Sequence, residues 1–105
     1  MIIELKKFGT ILLSRPAGRE AFSAIRPQIK LEESNVRVDF SNVFTLTPSW
    51  ADEFLTLLLE YTNGRVELLP TDNSSVIATL RILVEANQGP VADIARRFLS
   101  NNKKE

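Results

Sequence analysis

A chain of 105 residues, 44% hydrophobic and 25% charged, has the make-up of one ordinary globular domain that buries a core without disulfides or metals. Thirteen Lys and Arg balance thirteen Asp and Glu, so the chain lacks the broad positive field that gathers nucleic acid or an anionic membrane surface. The absence of Cys and His excludes thiol chemistry and removes the commonest general base and zinc ligand, so no metal and no cofactor is expected.

Ile2, Ile3 and Leu5 open a short strand, Phe8-Gly9-Thr10 reads as a turn, and Ile11, Leu12 and Leu13 form the return arm of an N-terminal hairpin. The order from Met1 to Lys7, apolar then basic, is the reverse of a secretory signal, and no apolar run approaches the ~20 residues of a membrane span. A cytoplasmic location without membrane or nucleic-acid partners is the expectation. Ser14 is an N-cap and Pro16 sits in a first helical turn, after which Ala17, Ala21, Phe22, Ile25 and Ile29 recur at helical spacing. Pro27 disfavours helical geometry at Arg26, so this helix stops or kinks near Ile25.

A polar connector over 32–35 leads to Val36, Val38 and Phe40, which alternate with Arg37 and Asp39 as a strand does. Pro48 then opens a strong helix over 48–61. Its polar residues Ser49, Asp52, Glu53, Thr56 and Glu60 fall on one narrow stripe, while Trp50, Phe54, Leu57, Leu58 and Tyr61 are expected to face a sheet. Asn63-Gly64 stops the helix, and a strand over 65–69 ends at Pro70. Asp72, Asn73 and Ser74 compete to cap the next helix, which carries Val76, Ile77, Leu80, Leu83 and Val84. Gly89-Pro90 breaks the pattern before an extra C-terminal helix over 90–101, with Val91, Ile94, Ala95, Phe98 and Leu99 on its apolar face and a frayed tail from Asn101. The fold class is α/β, a single domain over 1–105. A small mixed, mainly parallel sheet carries the N-terminal hairpin, with helices packed on it and strand 36–40 parallel to strand 65–69.

Three blocks carry a resemblance: Ser14-Arg15-Pro16-Ala17-Gly18-Arg19-Glu20, Val38-Asp39-Phe40-Ser41-Asn42-Val43, and Thr47-Pro48-Ser49-Trp50-Ala51-Asp52-Glu53-Phe54. Over roughly 8–85 the chain resembles a bacterial STAS-like domain of unknown function, related to the anti-sigma-factor antagonist and sulfate-transporter STAS domains. The resemblance implies a non-catalytic cytoplasmic interaction module that docks on a regulatory protein, a histidine-kinase-like ATPase being the implied partner class. In the antagonist branch a serine at the start of the helix after the central strand is phosphorylated, within a loop reading Asp-Ser-Ser-Gly. On this chain Thr47 takes the aspartate position, Pro48 the acceptor, Ser49 the second serine and Trp50 the glycine. The acceptor position therefore holds a proline.

The residues leave two readings at each candidate site. Thr47 and Ser49, with Asp52, Glu53 and Thr56 beyond them, form a partner-binding or switch surface, or else Thr47 is a plain helix cap and the carboxylates simply favour the positive helix end. Arg15, Gly18 and Arg19 form an anion-binding edge, the basis of an alternative function as a nucleotide or small-anion binding domain, or else a solvated basic edge. Asp52 and Glu53 point about 100° apart on a helix, which rules out an acid–base pair across a substrate, and no catalytic residue is expected. The flanks of the stripe, Ala51, Leu55 and Leu59, are covered by a neighbouring helix, the one over 90–101 being the expected cover, or belong to the partner site.

Overall fold

Strand β1 (Ile2–Glu4) buries Ile3 and exposes Ile2, the alternation of a strand covered on one side. Leu5–Phe8 then wind into a 3-10 turn closed by the Gly9 amide on the Lys6 carbonyl at 3.1 Å, with Gly9 at φ 123°. This turn offsets the chain without reversing it, and the expected hairpin does not form. Strand β2 (Ile11–Leu12) instead pairs parallel with β4 (Thr45–Leu46), while β1 pairs parallel with β3 (Val36–Asp39) in a separate sheet. The cause is Leu5, which turns inward and is 1% exposed, so the residues a hairpin would use for reversal serve as a helical turn over the core. The computed structural model describes residues 1–32, 35–86 and 89–102.

Strand β5 (Val66–Leu68) completes the larger sheet in the order β1-β3-β5, and all the strand pairs described are parallel. The expected neighbours therefore lie side by side, Val36 opposite Val66 and Val38 opposite Leu68, joined through helix α2 (Pro48–Thr62). The row Ile3–Val38–Leu68 is buried and the row Ile2–Arg37–Glu67 faces solvent, so helices cover one side of this sheet only. Helix α1 (Arg15–Ile25) makes the first crossover. The Ser14 hydroxyl accepts from the Ala17 amide at 3.1 Å, and a 3-10 turn at Arg26–Gln28 carries Pro27 and ends the helix where expected.

Asn73, among the three competing caps, holds helix α3 (Ser74–Ala86), its side-chain oxygen accepting from the Ser75 and Val76 amides at 2.8 and 3.1 Å. Ser75 and Thr79 have another task. The Ser75 hydroxyl accepts from the Leu46 amide at 3.0 Å and the buried Thr79 hydroxyl donates to the Leu46 carbonyl at 2.6 Å, so side chains of α3 complete the edge of β4. Helix α4 (Pro90–Asn102) runs beyond the expected fraying point. The Asn102 amide bonds the Thr71 backbone in both directions, at 3.1 and 3.0 Å, which holds the last turn down. The rest of that tail, 103–105, and positions 33 and 34 of the polar connector lie outside the described residues.

One contiguous core runs through all these elements, and α2 is at its centre. Trp50, Phe54 and Leu58 are almost solvent-free, with Trp50 stacked on Phe54 at 4.9 Å. Ala51, Leu55 and Leu59 are also buried, covered from within the chain as α1, α3 and α4 pack around α2. Tyr61 departs from expectation: it meets Phe22 of α1 edge-on at 5.9 Å, with the Arg26 guanidinium 5.3 Å above its ring, and so it faces α1 rather than the sheet. No helix among the described residues is long and apolar enough to cross a membrane.

Candidate functional site

The start of α2 is fixed by Thr47. Its hydroxyl accepts from the Trp50 amide at 3.3 Å and donates to the Leu13 carbonyl at 2.5 Å, and its own amide donates to the Leu12 carbonyl at 3.0 Å. One residue thus caps the helix and ties it to the end of β2, which leaves its hydroxyl committed. Pro48 follows at the first helical position and Ser49 is exposed beside it.

The two sets of residues singled out from the sequence, on α1 and on α2, meet in space. Arg15 Nη1 contacts Asp52 Oδ2 at 2.9 Å and Glu53 Oε1 at 3.2 Å, while Arg19 Nη2 contacts Glu53 Oε2 at 2.7 Å. Glu53 holds one arginine on each oxygen, and its side chain is only 12% exposed. Asp52 and Glu53 are therefore partly buried ion-pair partners, not freely solvated carboxylates. Hydrogen bonds first to Asp52 and then to Glu53 raise the Arg15 guanidinium above its ordinary pKa, as expected of a cation held between two carboxylates. Gly18 lies beneath this network, where α1 crosses the start of α2. A Cβ added there would stand 2.6 Å from the Trp50 carbonyl oxygen, so close approach of two backbones is what requires glycine.

The other side of the polar stripe is open. Asp52, Thr56 and Glu60, spaced four apart, form one wall of a groove of about 440 Å³, with Asn63 and Gly64 at its end and Pro90 and Val91 of α4 opposite. Leu59 and Val91 back the groove from the core, and Pro90 is its exposed apolar residue. Both Asn63, at φ 60°, and Gly64, at φ 85°, take left-handed backbone, which ends α2 sharply and shapes the groove's end. Of the expected partner surface, Asp52 and Thr56 line this groove, Glu53 turns to α1, Thr47 is the cap, and Ser49 is exposed at the helix start.

Sequence reasoning passed over Glu60, Asn63, Pro90 and Val91 as site residues. Glu60 was legible as a member of the stripe, but nothing local places 90 and 91 against 60–64. Among the described residues no three His, Cys, Asp or Glu side chains gather to hold a metal ion. No family model, curated protein or solved structure matches the chain.

Proposed function

We propose that this chain is a non-catalytic cytoplasmic interaction module of STAS-like kind, and that it docks a regulatory protein along the groove between α2 and α4. The supporting observation is the position of Asp52 and Thr56, two residues of the expected partner surface, on the wall of that groove. A cleft of this volume is large enough to receive one or two side chains of a partner, and its polar wall facing Pro90 suits recognition. The partner class is the one the resemblance implies, a histidine-kinase-like ATPase. Docking does not use a phosphoserine switch of the antagonist kind, because Pro48 stands at the acceptor position and the Thr47 hydroxyl is committed to capping. The anion-binding alternative is the weaker reading, since Arg15 and Arg19 already face carboxylates.

A photo-crosslinking amino acid at Thr56, compared in cells with the same group at exposed Arg81 on α3, tests the proposal. A discrete adduct from position 56, absent from position 81 and lost when Pro90→Trp occludes the groove in a protein that still melts cooperatively, is the expected result. Equal labelling from both positions would refute the docking site.

A further inference from the structure

Glu60 occupies an unfavourable place for a carboxylate. It lies in the last turn of α2, at the negative end of the helix dipole, and that turn contains no basic residue. It is exposed, and no ion pair is found for it among the described residues. The Arg65 guanidinium sits at this helix end, its Nε donating to the Thr62 carbonyl at 3.0 Å, but it is committed to main-chain oxygens there and at Leu31 and does not line the groove.

The groove's remaining chemistry points the same way. Its charged lining residues are Asp52 and Glu60, and none is a cation. At the far end of the wall, Asp52 already accepts a guanidinium, that of Arg15 at 2.9 Å, and this contact raises the Arg15 pKa. Across from the carboxylates lies the exposed ring of Pro90, backed by the buried Leu59 and Val91. A lysine or arginine side chain has this same division, an apolar stem carrying a cationic head.

We infer that the segment docking in the α2–α4 groove is basic, laying a lysine or arginine stem over the apolar surface at Pro90 with its cation on Glu60. The inference rests on the docking reading above and adds the chemistry of the partner. Glu60 thereby gains a cationic partner on the groove side, where the lining residues supply none.

Two short acetylated peptides test it, one alternating leucine with arginine and the other leucine with glutamate, each titrated into the full chain labelled for amide NMR. The arginine peptide should shift the amides of Thr56, Glu60, Asn63, Gly64 and Val91 ahead of the rest, and the glutamate peptide should not. Glu60→Gln should weaken the arginine peptide by roughly fivefold and Glu60→Lys by more, while Glu85→Lys on α3 leaves it unchanged. Shifts spread over every acidic surface, or a Glu60→Lys affinity equal to the parent's, would overturn the inference. The crosslinking partner separates the two claims. If Pro90→Trp abolishes its adduct and Glu60→Lys does not, the groove stands and the basic segment falls; if neither does, both fall.

Discussion

Against α1, helix α2 is closed: Gly18 brings backbone to backbone at Trp50, and Arg15 and Arg19 bracket Glu53 above that contact. Against α4, the same helix leaves about 440 Å³ unfilled, and Glu60 stands at its edge with no ion-pair partner among the described residues. Carboxylates of one polar stripe are thus treated in two ways. Where fold stability is at stake, arginines from the chain itself satisfy them. Where the groove opens, no cation lines it, and on the proposed docking the charge is met by the partner. The contrast teaches that a charge's role follows from what stands opposite it, not from its place on the helical stripe.

The sharpest way to break the closed side is Trp50→Ala, which removes a ring 1% exposed and stacked on Phe54. A loss of about 3–5 kcal/mol in chemical denaturation is expected. Gly18→Ala comes next. Its methyl meets a main-chain oxygen that cannot rotate away, so overpacking of about 1–3 kcal/mol exceeds the ~1 kcal/mol gain in helix propensity. A more stable Gly18→Ala variant would show that the two helices separate easily, and the contrast would lose its basis. Thr47→Val should cost about 1–2 kcal/mol by removing the cap and leaving the Leu13 carbonyl without its donor, read from the same denaturation curves.

On the open side the expected effect is smallest and opposite in sign. Glu60→Gln should raise stability by about 0.3–1 kcal/mol, because it removes an acid from the negative helix end. A loss instead would mean that Glu60 serves the fold, and the distinction between the two sides would fail.

The helices were largely legible because their signals are local. Pro48 and Asn63-Gly64 bracket α2, Pro27 ends α1, and spacing alone separates Trp50, Phe54 and Leu58 from the stripe. The parallel placement of β3 beside β5 followed from the strand–helix–strand order. The hairpin failed because its evidence, Phe8-Gly9-Thr10 between apolar runs, marks a turn without saying whether the chain reverses. That outcome is decided by Leu5 entering the core and by β3 and β4 as distant pairing partners. The site was half visible for a similar reason. Arg15, Arg19, Asp52 and Glu53 each stood out, but their meeting depends on how α1 crosses α2, and the groove depends on where α4 starts.

The wholly parallel pairing has a consequence for how the molecule comes together in time. Each strand contact closes a loop of about thirty residues or more, as Ile3 with Val38 and Val38 with Leu68 do. No reversal between neighbouring strands is available as an early seed, and the closure entropy must be met before any ladder forms. The first committed structure should then be a pair of helices near in sequence, with α3 against α4 the natural choice because α4 starts at Pro90 soon after α3 ends at Ala86, and the sheet should zip up behind it. On that account truncations of buried residues on these helices, such as Leu80→Ala and Ile94→Ala, slow refolding, whereas Gly18→Ala and substitutions along β5 chiefly hasten unfolding. Stopped-flow traces of Trp50 fluorescence, with each variant compared in both directions, distinguish this order from one that begins at the strands.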